Sequence, residues 1–291
     1  MKFASYRTAD GRGHYGIVDG GRVHDLATPE RPSLRHFIGL SSKDAAAACA
    51  LAIKGQGVPL DSVKLVPVIE QPGKILCLGL NYIEHAREGG HEIPTYPALF
   101  MRASSSLVAD GDPIVRPRAS EKLDYEAELA VVIGRRGRHI GEADALHYIA
   151  GYTVFNDASV RDYQRRTAQW TAGKNFDGTG ALGPFLVTPD ELPPGAAGLH
   201  IESRLNGQVM QSSTTSDMIF SVPKTIEILS EVMTLEPGDV IAMGTPPGVG
   251  HARKPPVWMR DGDVVEIEIE RIGILRNPVR NEAAAMAAAG L

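Results

Sequence analysis

The alternation of apolar and polar positions divides the chain into short segments, most with a period of two. MKFASYR and GHYGIV read as strands, Asp19-Gly20-Gly21-Arg22 as a turn, and RVHDL as a short return strand. The spacing then becomes helical in SLRHFIGL and in KDAAAACALAIKG, which Gly55 closes. VPVIEQPGK, with Pro67 and Pro72, reads as a linker. From Lys74 onward strand patterns dominate: KILCLGL, ELAVVIG, YIAGYTVFND, GPFLVT, HIESRLNG, DVIAMGT and DVVEIEIERIGILRNPV. NYIEHAREGG and PKTIEILSEVMTL interrupt them as helices, and the tail NEAAAMAAAGL reads as another. Many short strands punctuated by glycine and proline predict an antiparallel or mixed sandwich or barrel over residues 71–291. A small α+β unit over residues 1–70 precedes it. No internal repeat is present.

Composition changes this picture little. Of 291 residues, 43% are hydrophobic and 22% charged, as in ordinary globular proteins. The formal net charge is -5, with 30 basic against 35 acidic side chains, and no basic run points to nucleic acid. This balance gives no electrostatic help with an anionic substrate, so a local cation must supply it. No apolar stretch is long enough for a membrane span, and MKFASYR lacks the apolar core of a signal peptide. A cytoplasmic, reducing setting is the expectation, with Cys49 and Cys77 as buried free thiols.

Candidate chemistry begins with the strand pattern Leu123 to Ile133. Its odd positions, Leu123, Tyr125, Ala127, Leu129, Val131 and Ile133, form an apolar face. Glu126 and Glu128 share the other face, about 7 Å apart along an ideal strand. Beyond them Ala130 and Val132 are apolar as well, so the glutamates sit where a strand enters the interior. Two like charges there need a cation or a raised pKa. Solvated glutamates on an edge strand would give the same spacing. Asp157, ending the apolar strand GYTVFND, either caps the following turn or completes a three-carboxylate face. Such an all-oxygen set suits Mg²⁺ or Mn²⁺, whereas zinc favours His or Cys.

His85 and Glu88 lie three apart on a predicted helix, within reach of one another. A carboxylate bonded to an imidazole orients it as a base. Glu84 and Arg87 on the same helix also allow a simple solvated face. Gly89 and Gly90 would let the helix move as a lid. Lys174, in Trp170-Thr-Ala-Gly-Lys-Asn-Phe, either reaches a pocket to stabilise an oxyanion or lies on the surface. Arg161 and Gln164 either hold a substrate carboxylate or face solvent, and GTPPGVG offers the Thr245 hydroxyl at a strand end. Gly178-Thr-Gly180-Ala-Leu-Gly183 matches the dinucleotide fingerprint formally, but a strand follows where that motif needs a helix.

In this order, Asn81-Tyr82-x-x-His85-x-x-Glu88, Asp124-Tyr125-Glu126-x-Glu128, Asn156-Asp157-x-x-x-Arg161, Gly173-Lys174-x-Phe176-Asp177, Leu182-Gly183-Pro184 and Gly244-Thr245-Pro246 resemble the fumarylacetoacetate hydrolase superfamily. The resemblance covers roughly residues 73–278 and is nearest to bacterial members with a short N-terminal domain. It implies an α+β fold built on a mixed β-sandwich roll, assembled as a homodimer. It implies Mg²⁺ or Mn²⁺ on Glu126, Glu128 and Asp157, a lid dyad of His85 and Glu88, and a catalytic Lys174. It places substrate contacts at Arg161, Gln164 and Thr245. Arg102-Ala103 departs from an expected Lys-Pro, and a guanidinium there is expected to hold an anion in a different geometry. The implied substrate is a small oxo-acid, with hydrolysis of a carbon–carbon bond in a 3-acylpyruvate favoured. Decarboxylation of oxaloacetate-like acids and tautomerisation or isomerisation of unsaturated oxo-diacids are the alternatives. A non-catalytic metal-stabilised binding protein is the remote one.

Overall fold

The structure is a computed structural model that describes residues 1–90 and 92–289. The last two residues of the alanine-rich tail lie outside the described ones; Glu282–Ala289 is helical. Two sheets dominate. The larger is mixed and runs, in spatial order, Val58–Pro59, Arg22–Asp25, Gly13–Asp19, Lys2–Arg7, Gly180–Val187, Ile149–Asp157, Ala127–Ile133, Val240–Ala242, Ile75–Gly79 and Ala98–Arg102. The smaller orders Gln208–Thr214, His200–Leu205, Val264–Ile269, Gly273–Asn281 and Ile114–Arg116.

The strand Ala127–Ile133 shows why this is a layered core. Leu129, Val131 and Ile133 join Ile201, Leu205, Val265, Ile267 and Leu275 in the cluster between the two sheets. Ala130 and Val132 point the other way, into a second cluster with Phe3, Tyr15, Ile17, Leu34 and Phe37. Both faces of the central strands are therefore covered, which explains their continuous apolar runs. The N-terminal segment is stitched in covalently and by hydrogen bonds: Lys2 and Phe3 pair with Val187 and Leu186. Residues 2–25 thus extend the sheet that carries the carboxylates.

Helix Val222–Val232 begins at Ser221, whose hydroxyl accepts from the Lys224 N–H, with Pro223 in the first turn. It buries Val222, Thr225, Ile226 and Leu229 at helical spacing. The strands Ala98–Arg102 and Gln208–Thr214 carry no clean alternation in the sequence, and the pattern reading omits them. Cys49 and Cys77 are buried and unpaired. Among the described residues no helix is long and apolar enough to cross a membrane.

Candidate metal centre and its cavity

The expected single strand from Leu123 to Ile133 breaks at Tyr125-Glu126. Leu123–Asp124 pairs with Ser159–Val160, while Ala127–Ile133 pairs with Ile149–Asp157. At the break the Glu126 N–H donates to Asn156 Oδ1 at 3.1 Å, and Asp157 N–H donates to the Glu126 carbonyl at 3.0 Å. The break turns Glu126 toward its neighbours. Ligand oxygens of Glu126, Glu128 and Asp157 lie within 4.8 Å of one another, and all three residues are buried.

Cations surround the triad. Lys174, on the one-turn helix Thr171–Lys174, places Nζ 2.6 Å from Glu126 Oε2 and 2.6 Å from Asp157 Oδ2. Arg161 bridges two acids, with Nη1 2.7 Å from Glu126 Oε1 and Nε 2.8 Å from Asp124 Oδ2. Glu128 accepts only the Gly244 N–H, at 2.9 Å, among the described residues. Gly244 permits this at φ +86°, where a side chain would also meet Asn81. Asn81 in turn donates to Met243 and Phe220 carbonyls and accepts from Phe220 N–H, tying the start of helix Ile83–Glu88 to the Gly244 turn.

Arg102 corrects an expectation. Its guanidinium does not reach the cavity to hold an anion. It is fully buried behind Asp157, donating to Asp157 Oδ1 at 2.5 Å, to the Ala158 carbonyl, to Ser106 and to Thr179. With four of its five N–H donors so occupied and its side chain buried away from the cavity, it holds the carboxylate in place.

Among the described residues, the arginines and lysines in direct contact with Asp124, Glu126, Glu128 and Asp157 are Arg102, Arg161 and Lys174, and the His251 ring lies 3.1 Å from Asp124. Counting Arg102, Arg161 and Lys174 alone, the cluster is one positive charge short, and Glu128 is the carboxylate with no cation in contact among the described residues. Burial, then Asp157 and Glu126, push the Glu128 carboxyl well above its ordinary value. Burial acts on Glu126 as well, but Arg161 and Lys174 outweigh it and hold that carboxyl below the usual range. A divalent cation fits this donor set: it would neutralise Glu128 and leave a net positive site for an anionic ligand.

Glu126 and Glu128 open on a cavity of about 440 Å³. Glu126, Glu128, Lys174, Arg161, Gln164, Thr245 and His85 line it, so most of the expected site residues meet there. Glu88 stands behind His85: Oε2 lies 3.4 Å from His85 Nδ1, and both its oxygens face the Gly248 N–H. Thr245 Oγ1 accepts from Gln211 Nε2, leaving its own proton available. The sequence reading missed His251 and the aromatic wall of Phe100 and Trp170, which also line the cavity. Nothing in their local pattern marks them. The role of Asp124 was partly visible, since it shares the even positions of Glu126 and Glu128.

Gly79 fixes the aromatic wall. A Cβ there would fall 2.1 Å from Trp170 Cζ3. Gly79→Ala is expected to displace the indole and lower stability by about 1–3 kcal/mol, the range for overpacking. Thermal unfolding, with near-UV dichroism as the reporter of the ring, checks this.

Comparison with known proteins bears on this geometry. Mitochondrial oxaloacetate tautomerase Fahd2a of Rattus norvegicus is 43% identical over 273 residues, covering 91% of this chain and 87% of that protein. A fumarylacetoacetate hydrolase of Exiguobacterium antarcticum superposes with TM-score 0.80 at 37% identity, covering 97% of this chain and all of that one. Maleylpyruvate hydrolase of Sphingobium sp. SYK-6, solved with manganese(II) and pyruvate, superposes with TM-score 0.80 at 29% identity, covering 97% and 99%. Residues 74–280 match the family model described as fumarylacetoacetate (FAA) hydrolase C-terminal, a span that contains the triad, helix Ile83–Glu88 and the Gly244 turn, and the chain belongs to that family.

Proposed function

We propose that the protein is a divalent-metal-dependent tautomerase of 2-oxo diacids of the oxaloacetate type. The observation that carries this is that His85 lines the same cavity as Glu126 and Glu128, whose ligand oxygens lie within 4.8 Å of each other and of Asp157. The rat relative, matched over most of both chains, bears the corresponding activity in its name.

Glu126, Glu128 and Asp157 would hold the ion, which when bound withdraws electrons from the oxo group and makes the neighbouring carbon acidic. Arg161, Gln164 and the Thr245 hydroxyl bind substrate oxygens. His85, with Glu88 behind Nδ1, takes the proton from that carbon and returns it to the oxo oxygen. Lys174 keeps Glu126 and Asp157 in register. The short helix Ile83–Glu88 carries His85 to the cavity, and Gly89 and Gly90 after it would let it close over substrate and limit water.

A second reading keeps the same residues. The likeness to maleylpyruvate hydrolase favours carbon–carbon bond hydrolysis, in which His85 deprotonates a water. Oxaloacetate and an acylpyruvate, each assayed with Mg²⁺ and Mn²⁺, separate the two. Loss of enol absorbance without pyruvate release is the expected result. Pyruvate release as fast as enol loss would overturn tautomerisation in favour of cleavage or decarboxylation. His85→Ala is expected to lower kcat by about 10²–10⁴-fold, the usual contribution of a positioned base. Unchanged kcat in that variant would remove His85 from the mechanism.

A further inference from the structure

Glu88 stands behind the candidate base His85, and the surrounding backbone holds Glu88 in turn. Its helix, Ile83–Glu88, has six residues, and its side chain is 26% exposed. Arg87 on the same helix is engaged by Glu84. Among the described residues Glu88 has two hydrogen-bond partners. His85 Nδ1 lies 3.4 Å from Oε2, and the Gly248 N–H lies 3.1 and 3.2 Å from the two oxygens. An ionised carboxylate only accepts, so Nδ1 carries the hydrogen and Nε2 keeps the lone pair that a base needs.

The Gly248 N–H is therefore the far anchor of the dyad, and Gly248 is itself clamped. Its carbonyl accepts from Arg253 Nε at 3.2 Å and from the Tyr125 hydroxyl at 3.2 Å. The other end of the same guanidinium, Nη2, donates to the Met210 carbonyl at 2.5 Å. One planar fork thus ties the turn after Thr245 to strand Gln208–Thr214. The approach is close: Gly248 has φ +102°, and a Cβ there would fall 2.3 Å from that Met210 carbonyl oxygen. The hydrogen bonds of Arg253 go to backbone carbonyls, and the residue lies outside the cavity lining, so its reach to the chemistry runs through Gly248.

We propose that Arg253 is a positioning residue: by clamping the Gly248 and Met210 carbonyls it fixes the Gly248 N–H, which holds Glu88 and through it the ring of His85. This rests on His85 being the base of the proposed reaction.

The test is a cycle of Arg253→Ala, Glu88→Ala and the double variant, read in two ways. The first reading is the tautomer of His85 in the metal-free protein. Ring nitrogen chemical shifts of isotope-labelled histidine report it at about pH 9, well above the ordinary histidine value. His85→Ala assigns the signal. The wild type should carry the hydrogen on Nδ1, and Arg253→Ala should move it toward Nε2, as Glu88→Ala does. The second reading is turnover of oxaloacetate by the Mn²⁺-loaded protein. Arg253→Ala should lower kcat by about 10- to 100-fold, up to the cost of a misplacement of about 1 Å, with little change in KM. In the Glu88→Ala background it should lower kcat no further, because the two residues act as one unit. Thermal melts verify folding. Arg253→Lys, whose ammonium lacks the fork that spans both carbonyls, is carried through the same cycle and should show a smaller loss, so the readings survive if the alanine variant does not fold. An unchanged tautomer in Arg253→Ala, or the same fold-loss of kcat with and without Glu88, would overturn the proposal. The tautomer keeps it separate from the proposed activity. If the wild type turns over no oxaloacetate yet Arg253→Ala moves the His85 hydrogen, tautomerisation fails and the role of Arg253 stands.

Discussion

Glu128→Gln is expected to make the metal-free protein more stable at neutral pH while weakening Mg²⁺ and Mn²⁺ binding and abolishing metal-dependent turnover. The opposite signs follow from one fact. Four buried carboxylates share three cationic partners, and Glu128, with only the Gly244 N–H, is the one left over. Glutamine removes the surplus charge but also a ligand. Affinity should fall by more than about 100-fold, beyond the 10–100-fold typical of losing only an outer partner of a ligand. Calorimetric titration with Mn²⁺ measures it.

The pH dependence of metal-free stability carries the same signature. Burial and the neighbouring Asp157 and Glu126 raise the folded-state pKa of Glu128. Between the ordinary glutamate value and that raised value, the folded chain binds more protons than the unfolded one. Stability is therefore fully present below the ordinary value and is lost as pH rises through the raised one. Metal binding needs the deprotonated form, so affinity should change in the opposite direction and weaken as pH falls. In Glu128→Gln the decline of metal-free stability with rising pH should flatten. A wild-type slope of the opposite sign would refute the charge count.

The second large effect is expected for Lys174→Met. Lys174 is buried, and its ammonium is shared by Glu126 and Asp157 at 2.6 Å each. Its own pKa is raised: burial opposes the charge, but Asp157 and Glu126 outweigh it. Removing one member of a buried ionic group leaves the others uncompensated and costs about 3–5 kcal/mol. Metal-free Lys174→Met should therefore melt far below the wild type. Saturating Mn²⁺ should recover more stability in the variant than in the wild type, because the ion supplies part of the missing charge. Thermal melts with chelator and with Mn²⁺ decide this. Equal metal-induced shifts in the two proteins would mean that Lys174 is not the resident counter-ion of the triad.

The two-residue period of Leu123 to Ile133 already dictated which side chains enter the core, and the structure sends Leu129, Val131 and Ile133 into one cluster and Ala130 and Val132 into another. Such alternation is local chemistry. A strand has two faces whatever it packs against, so the sequence alone could identify Glu126 and Glu128 as acids forced inward. It could also place Asp157 at the end of an apolar strand, and the ordered motifs could name the family. Three things needed the tertiary structure. The break at Tyr125-Glu126 exists because Leu123–Asp124 and Ala127–Ile133 find different partners. Arg102 serves Asp157 and not substrate, because the last strand of the sheet, Ala98–Arg102, carries it behind the carboxylate. His251 borders the cavity only because the turn after Thr245 folds back onto Asp124, 127 positions earlier in the chain. Periodicity determines which way a side chain points. Which distant groups then share its charge is decided by long-range packing, and here that packing decides which carboxylate lacks a cation.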